Sequence, residues 1–394
     1  MAVLTTLCAL ALSHQAVAPT STVPFRIAQD AIIVDAAVNG RSVSLMFDTG
    51  FGAAIDVSDN VNIGKVTGSI NLVDFVGSFV ASTVKINTLK LGAKTIETKG
   101  MTEAVMSRED FTQSYGMHCD GVMGFEVIKG NVTGISYEHS RFDFYPSTMD
   151  ISKWVPDNKR TFLARLLPTG NSSLEMSVET PGGKRMVLAL DTGNAFYATT
   201  HNDVLARVGL WEEGAVPKFM KQSFVASGPV NSWSLKLKNI KIFGIPVPEG
   251  VWDVIDVPSA TAEGDGTVGF GFLHNFNIIV DYDRRRVWFE NYTGKTASDD
   301  IGDPGISAYG DRRSGDVLIY KVSPGSPAEK AGVKEGDALL SIDGEDLESH
   351  IGYRKMRKLL EGPIGSKVKL AISSHGELKR LELDRVGLFN ELAK

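Results

Sequence analysis

Short runs of hydrophobic residues, many of them alternating with polar ones, follow one another along most of the chain. Between residues 31 and 47, two apolar runs flank Asn39–Gly40, a pair that favours a two-residue β-hairpin turn. Comparable runs, separated by glycine and other turn-forming residues, continue to about residue 292. The pattern therefore predicts a mainly β chain built from short strands.

The strand pattern of the first half occurs again in the second half. Four landmarks recur at a spacing of 143 to 145 residues, and a repeat of such a long period indicates an internal duplication. We therefore predict two related lobes, residues 19–155 (the first lobe) and 156–295 (the second lobe). The landmarks and their counterparts are Leu45–Gly50 and Leu188–Gly193, Ser78–Ser82 and Ser223–Ser227, Asp120–Phe125 and Asp265–Phe270, and Ile135–Tyr137 and Val280–Tyr282.

The pattern changes after residue 295. Residues 296–304 are polar and contain a Gly-Asp-Pro-Gly turn, so they predict a linker. Strand-like runs then surround Ser349–Leu360, where the apolar spacing is helical. These features predict a small α+β domain over residues 305–386 (the C-terminal module), followed by a tail, 387–394.

Composition places the chain among ordinary soluble globular proteins. Its 394 residues suffice for two or three domains, and it is 43% hydrophobic and 22% charged. The net charge of −6 gives no indication of nucleic-acid binding. A weak dinucleotide-binding motif, Gly264–Gly269, is explained by the repeat as the counterpart of the segment that starts at Asp120. We therefore expect no nucleic-acid partner, no metal site and no cofactor.

The start of the sequence has the features of an export signal. Residues 1–18 are apolar from Val3 to Leu12 and end in Ala-Val-Ala, which fits a cleavage site with small residues. The segment predicts a signal peptide and an exported protein, periplasmic or secreted. The alternative is a disordered hydrophobic tail. No other stretch is long and apolar enough to predict a membrane span in the mature chain.

The repeated Asp-Thr-Gly motif is the strongest candidate for chemistry. In each copy an apolar strand leads one carboxylate, Asp48 or Asp191, into a tight turn that contains a glycine. A single Asp-Thr-Gly is weak evidence, but two copies inside a duplication are not. Because burying one carboxylate is costly, burying two near each other makes sense mainly if they share a proton. The two copies therefore predict that Asp48 and Asp191 lie near each other and share a proton.

The doubled motif, with a hydrophobic-hydrophobic-Gly element downstream of each copy, resembles the retropepsin-like and pepsin-like aspartic proteases over about Phe25–Tyr292. The resemblance implies a bilobal β fold and an endopeptidase in which a water held between Asp48 and Asp191 attacks the peptide bond. It implies an extended protein or peptide substrate and, since one chain supplies both aspartates, a monomer. The residues that it assigns to supporting the active-site loops are Thr49, Gly50, Thr192, Gly193, Gly124 and Gly269.

Two positions depart from the family pattern. A small residue such as Ser, Ala or Thr usually follows the glycine, whereas this chain has Phe51 and Asn194 there. These departures favour the alternative of a catalytically silent peptide-binding protein that retains the fold. The resemblance also predicts a flap at Gly64–Gly77, with residues 218–229 as its counterpart in the second lobe.

The C-terminal module resembles bacterial PDZ domains through Val322–Ala328, Ala331–Asp337 and Ser341–Gly344. That family binds extended C-terminal peptides by strand addition beside a helix, so the module is expected to recruit protein or peptide substrates. We also expect the basic residues of the helix to form a solvated face; they are Arg354, Lys355, Arg357 and Lys358. The residues that the resemblance assigns to peptide binding are Gly305, Ile306, Ser307, Ala308, Tyr353 and Met356.

Overall fold

The computed structural model describes residues 17–73, 78–107, 111–115, 117–168, 173–212, 215–225, 228–259, 264–311 and 313–391. Most of the predicted signal peptide and the last part of the predicted first flap, residues 74–77, lie outside the described residues. Within the described residues strands dominate, and the α-helices have between four and eight residues. The prediction of a mainly β chain is confirmed.

In its described residues the first lobe contains short strands and very little helix. Its strands are β1 (Ser21–Pro24), β2 (Arg26–Ala28), β3 (Ala31–Val38), β4 (Arg41–Asp48), β5 (Ile55–Ser58), β6 (Val66–Val73), β7 (Ser78–Val84), β8 (Leu89–Leu91), β9 (Lys94–Ile96), β10 (Ala104–Ser107), β11 (Gly121–Gly124), β12 (Val132–Ser136) and β13 (Arg141–Tyr145). Its helices are α1 (Phe111–Tyr115), α2 (Glu126–Lys129) and a 3-10 turn at Ile151–Lys153.

The second lobe has longer strands near its end. Its strands are β14 (Thr161–Arg165), β15 (Glu175–Glu179), β16 (Arg185–Leu190), β17 (Ala198–His201), β18 (Lys221–Val225), β19 (Gly228–Ile242), β20 (Ile245–Ile255), β21 (Gly266–Val268), β22 (Phe276–Asp281) and β23 (Arg286–Asn291). Its helices are α3 (Asn202–Arg207) and α4 (Phe270–Leu273).

The remaining elements belong to the C-terminal module and the segments on either side of it. The strands are β24 (Ile301–Gly302), β25 (Ile306–Gly310), β26 (Val317–Val322), β27 (Ala338–Ile342), β28 (Glu345–Asp346), β29 (Gly362–Pro363), β30 (Lys367–Ser374), β31 (Glu377–Asp384) and β32 (Phe389–Glu391). The helices are α5 (Pro327–Lys330) and α6 (Tyr353–Leu360).

The two lobes share one strand order. The first lobe's main sheet runs β6-β7-β10-β5-β11-β4-β3, and the second lobe's runs β18-β19-β20-β17-β21-β16-β15. In both, the strand that leads to an aspartate (β4 or β16) pairs in parallel with the strand of the hydrophobic-Gly element (β11 or β21). The matching topology confirms the internal duplication.

A third sheet, to which both lobes contribute strands, joins the lobes. Its order is β1-β13-β12-β22-β23-β14, so each lobe supplies three strands, and β12 pairs antiparallel with β22 at the centre. Aromatic side chains of this sheet, including Phe142 from the first lobe and Phe289 from the second, are fully buried in one core that spans both lobes. Burial of this apolar surface stabilises the bilobal arrangement that sets the two Asp-Thr-Gly loops opposite each other.

The C-terminal module has its own core. Its main sheet runs β25-β26-β27-β30-β31, and α6 buries Met356 and Leu360 against it. The segments on either side of the module are bonded to the second lobe. In the predicted linker the Asp300 carboxylate lies 2.6 Å from the Lys236 ammonium, and in the predicted tail β32 pairs in parallel with β19. The module is therefore held against the second lobe from both of its ends.

Candidate active site

The two Asp-Thr-Gly loops are bonded to each other by their threonines. Each hydroxyl donates across the interface to a backbone carbonyl, Thr49 to Leu190 at 2.6 Å and Thr192 to Phe47 at 2.8 Å. Each hydroxyl also accepts from the other loop, because the Thr192 amide donates to Thr49 at 3.0 Å and the Thr49 amide donates to Thr192 at 3.1 Å. Both threonines are fully buried. The four bonds fix the two loops in register with each other.

This register brings the predicted aspartates together. Asp191 is buried, Asp48 is half-buried, and their carboxyl groups are hydrogen-bonded to each other. The glycines next to them make the approach possible. A Cβ atom on Gly50 would lie 2.8 Å from the carboxyl carbon of Asp191, and one on Gly193 would overlap the carboxyl group of Asp48. Each loop therefore needs glycine in order to admit the opposing carboxyl group.

The pKa of Asp48 stands well above its usual range. Burial is the main cause, and the negative charge of Asp191 raises it further because two neighbouring carboxylates cannot both ionise cheaply. The Gly50 amide, which donates to Oδ1 at 2.7 Å, and the positive charge of Arg354 oppose this rise.

Burial also raises the pKa of Asp191, but more donors stabilise its charged form. Asp48 donates to it, as do the amides of Gly193 at 2.9 Å and Asn194 at 3.0 Å and the hydroxyl of Thr267. The pair is therefore asymmetric, with the proton favoured on Asp48 and the negative charge on Asp191.

The residue after each glycine contributes to this asymmetry. The side-chain amide of Asn194 donates to Thr267 at 2.8 Å and to Thr199 at 2.9 Å, and Thr267 in turn donates to Asp191. Phe51 occupies the equivalent place in the first lobe and has no side-chain donor. Its amide donates to the Asp48 carboxylate at 3.2 Å, and its ring packs in an apolar cluster that includes Val105.

The hydrophobic-Gly elements lie directly against the loops. Gly124 is in register with Asp48 in the parallel β4–β11 pair, and its amide donates to Ala54 at 2.9 Å. The amide of Gly269 donates to the Tyr197 carbonyl at 3.0 Å in the second lobe. A Cβ atom on either glycine would overlap a backbone carbonyl of the neighbouring loop. Both positions therefore require glycine for close packing behind the active-site loops.

The carboxyl pair opens into a cleft of about 1130 Å³. Residues 70–72 of β6 line it from the first lobe, and residues 223–225 of β18 line it from the second. These strands lie within the segments that the sequence predicted as flaps. The C-terminal module also contributes to the cleft, through Tyr309, Tyr353 and Arg354.

Helix α6 contributes to this cleft, a role that the sequence did not indicate. Arg354 donates to the backbone carbonyls of Gly193 and of Asp30, the latter at 3.1 Å, and its guanidinium lies 5.0 Å from the ring centre of Tyr115. Arg357 donates to the Asp30 carboxylate at 3.1 Å. The prediction of a solvated basic face is wrong for both arginines, because the helix packs against the lobes. Sequence reveals which face of a helix is polar but not which surface that face meets.

The six residues predicted to bind peptide line a second cavity of about 830 Å³ between the C-terminal module and the second lobe. Its opposite wall includes Phe196, Lys221 and Asp253 of the second lobe. The backbone amides of Gly305 and Ile306 donate to the carboxyl group of Asp303, Gly305 at 2.5 Å. Burial raises the pKa of Asp303 to about 6. The loop proposed to capture a peptide carboxylate is thus bonded to a carboxyl group of the chain itself.

Residues 318–373 match the family model of the PDZ domain. The C-terminal module contains a PDZ domain. The matched segment comprises β26 to β30 with α5 and α6, and the cavity just described is bounded by its helix α6 and by β25, the strand immediately before it. The prediction of this domain is confirmed.

Bacterial peptidases are among the curated proteins that match. The chain is 35% identical over 72 residues to the carboxy-terminal processing protease CtpA of Bacillus subtilis, a match that covers 18% of this chain and 15% of CtpA. It is 30% identical over 129 residues to the periplasmic pH-dependent serine endoprotease DegQ of Escherichia coli, covering 31% of this chain and 27% of DegQ. The serine protease Do-like HtrB of Bacillus subtilis is 21% identical over 356 residues, 82% of this chain and 72% of HtrB.

Two solved structures align with this chain at low TM-scores. An aspartic proteinase from Irpex lacteus aligns at 14% identity and a TM-score of 0.40, covering 70% of this chain and 98% of that one. A photosystem II D1 C-terminal processing protease aligns at 26% identity and a TM-score of 0.22, covering 23% of this chain and 24% of that one.

Over the part of the chain that the structure describes, no group of three or more His, Cys, Asp or Glu side chains could hold a metal ion. None of the helices found in that part is long and apolar enough to cross a bilayer.

Proposed function

We propose that the protein is an aspartic endopeptidase with a PDZ domain. The observation that carries the proposal is the hydrogen-bonded carboxyl pair of Asp48 and Asp191, held between two lobes at the base of a large cleft. Two carboxyl groups so close share a proton, which leaves one acid and one base side by side. Sharing of one proton between two aspartates is the established behaviour of the aspartic-protease dyad, which this pair resembles.

The asymmetry of the pair assigns the two roles. Asp191, whose charge is stabilised by two backbone amides and the Thr267 hydroxyl, acts as the general base. Asp48, whose pKa burial and the Asp191 charge raise, carries the shared proton and acts as the general acid. The threonine network is a positioning device that keeps both carboxyl groups in place without contacting the substrate.

In the first step a water between the carboxyl groups attacks the scissile carbonyl carbon. Asp191 takes a proton from the water while Asp48 gives its proton to the carbonyl oxygen, which yields a tetrahedral gem-diol. In the second step Asp191 gives its proton to the leaving nitrogen, and Asp48 recovers a proton from one of the hydroxyl groups as the C–N bond breaks. The pair returns to its starting state, and the enzyme forms no covalent bond to the substrate.

The shape of the cleft supports an extended peptide as the substrate. Residues 70–72 of β6 and 223–225 of β18 line the cleft on either side, and each of these strands ends its sheet. The outer edge of β6 offers backbone donors and acceptors with which an extended peptide can pair. The PDZ domain, which lines the same cleft, is proposed to recruit protein or peptide substrates to it.

A second candidate is a peptide-binding protein that does not hydrolyse its ligand. Phe51 favours it, because this apolar residue stands where a small residue, often a hydroxyl-bearing one, is usual, and Asp48 gains no side-chain donor from it. The cleft and the PDZ domain would then serve binding alone.

Digestion of a defined peptide library by the purified full chain separates these candidates. We expect new termini, detected by mass spectrometry, that disappear when a transition-state mimic with a hydroxyl group in place of the scissile carbonyl is added. A serine-directed organophosphorus reagent should leave the digestion unchanged, because the proposed mechanism uses no nucleophilic serine. Inhibition by this reagent would instead indicate a serine-protease mechanism, as named for HtrB and DegQ. Peptides that bind the chain but remain intact would establish the silent binder.

We also propose that the protein is exported and monomeric. The signal-like segment 1–18 and the similarity to DegQ, a periplasmic protein by name, support export. The presence of both aspartates in one chain supports a monomer. Cell fractionation with N-terminal sequencing tests the first proposal, and light scattering at several concentrations tests the second.

A further inference from the structure

In the segment 218–224 of the second lobe, every second residue contacts the C-terminal module or, at Lys218, the tail that follows the module. The chain bends at Phe219, whose φ is 58°, and is extended from Lys221, where β18 begins. In an extended strand alternate residues direct their backbone N–H and C=O groups to the same edge, and the outer edge of β18 meets the module at Gln222. The contacts use backbone atoms at 218, 220 and 222. Lys218 donates to Asn390 at 2.7 Å and accepts from it at 3.0 Å, Met220 accepts from Ser323 at 2.8 Å, and Gln222 donates to Ser307 at 3.1 Å and accepts from Tyr353 at 3.0 Å.

The fourth contact is aromatic. The ring of Phe224 meets Tyr309 of β25 edge-on, with 4.4 Å between ring centres, and lies 4.8 Å from the ring of Tyr353 on α6. Phe224 is therefore held by the strand and the helix that bound the PDZ groove. Such aromatic pairs stabilise the contact beyond what the burial of apolar area contributes.

The groove is not arranged for a free peptide terminus. The amides of Gly305 and Ile306 already donate to the Asp303 carboxyl group, so they are not available to the carboxylate of another peptide. What the groove offers to β18 is the hydroxyl of Ser307, the hydroxyl of Tyr353 and two aromatic faces. These groups recognise the backbone of an extended segment and an aromatic side chain two residues further along.

We propose that the groove between β25 and α6 is a docking site for an internal, extended peptide segment with an aromatic residue, and that β18 (Lys221–Val225) occupies it as an intramolecular ligand. A peptide of the same chemistry from another protein competes with this segment. The consequence for catalysis rests on the proposed function. Because residues 223–225 also line the cleft, displacing them from the groove changes the wall of the active site.

The test measures binding of a labelled synthetic peptide, Lys-Phe-Met-Lys-Gln-Ser-Phe-Val, which copies residues 218–225. The full chain carries Asp191→Asn so that the peptide stays intact, and binding is followed by fluorescence anisotropy. Replacing Phe224 by Ala in the chain should tighten binding about tenfold, because the intramolecular competitor is weakened. Phe224→Leu, which keeps apolar contact, should give a smaller gain. Val216→Ala, at a side chain that is 90% exposed, is the control and should change nothing.

Two further outcomes decide the site. A peptide with Ala in place of its second Phe should bind at least tenfold more weakly to every form of the chain. A peptide with benzoylphenylalanine at that position should cross-link to β25 or α6. Equal affinity of the wild-type and Phe224→Ala chains, or cross-links confined to residues 48–53 and 191–196, would overturn the proposal. Since no hydrolysis is measured, these results stand apart from the test of the endopeptidase.

Discussion

At the scale of single residues, the proposed chemistry depends on two carboxyl groups with unequal surroundings. Sequence identified Asp48 and Asp191, because the motif occurs twice within a repeat. It did not reveal the difference between them, since Thr267 and Arg354 reach the pair only through the folded structure. The residues proposed to perform the chemistry could thus be picked out from the sequence, whereas those proposed to divide the roles between them could not.

Arg354 provides a test of this electrostatic asymmetry. Its positive charge lowers the pKa of Asp48, against the larger effects of burial and Asp191. Replacing Arg354 by Gln should therefore raise that pKa, so that the shared proton is lost at a higher pH. We expect the basic limb of the pH profile of kcat/KM to move upward.

Two variants control this measurement. Lys355→Gln removes the same charge from the same helix at a side chain that pairs with Glu348 at 3.1 Å, and it should leave the limb in place. Arg354→Lys keeps the charge and should restore most of the wild-type profile. A basic limb that does not move in Arg354→Gln contradicts the assigned influence of the PDZ helix on the pair.

The raised pKa of Asp48 also has a consequence for stability. When the pKa of a carboxyl group is higher in the folded than in the unfolded protein, its protonation stabilises the folded state. That stabilisation is complete only below the unfolded pKa of about 3.9, and it is lost as the pH rises through the folded pKa. Asn at position 48 mimics the protonated form. Asp48→Asn should therefore raise Tm at pH 7, by about 2–4 °C for each kcal/mol gained, with the gain shrinking toward pH 3.5.

Calorimetry at both values of pH checks this expectation. Asp283→Asn makes the same chemical change at an exposed turn position and should have little effect. A lower Tm for Asp48→Asn than for the wild type at pH 7 would show that burial of the Asp48 carboxyl group does not destabilise the folded protein.

At the scale of elements, short sequence motifs predicted the strands correctly where a turn fixes the geometry. Asn39 and Gly40 both have positive φ, 50° and 83°, as the predicted hairpin turn requires. Strand β3 precedes this turn and β4 follows it. Strands such as β24 and β32 could not be predicted, because segments of two or three residues carry no periodicity. They form only because a partner strand lies beside them, and so they depend on tertiary contact.

The hydrophobic-Gly elements make a sharp test at this scale. A Cβ atom on Gly124 would overlap the Ala53 carbonyl in the loop behind Asp48, so Gly124→Ala must displace the backbone. We expect a loss of about 3 kcal/mol or more in the free energy of unfolding, measured by urea titration, together with a fall in activity.

Gly130→Ala is the matched control for that change. Gly130 has a negative φ, and a Cβ atom there would meet nothing within 4 Å. Its free energy of unfolding should stay within about 0.5 kcal/mol of the wild type. Equal effects of the two substitutions would mean that close packing behind the loop does not matter.

At the scale of the whole molecule, the duplication predicted the two lobes but not how the PDZ domain meets them. The shared sheet follows from the repeat, since each copy contributes three strands of matching order. The placement of the module depends on individual surface contacts, such as those of Asp30 with Arg357 at 3.1 Å and Lys358 at 2.6 Å. Contacts between residues more than 300 positions apart leave no pattern in a single sequence.

The central claim is that one acid group from each lobe is required for hydrolysis. The most direct measurement compares kcat for one cleaved peptide among the wild type, Asp48→Asn, Asp191→Asn and the surface control Asp283→Asn, each shown by circular dichroism to be folded. We predict that either dyad substitution lowers kcat at least about 10³-fold while Asp283→Asn retains full activity. Substantial hydrolysis by either dyad variant would contradict this claim.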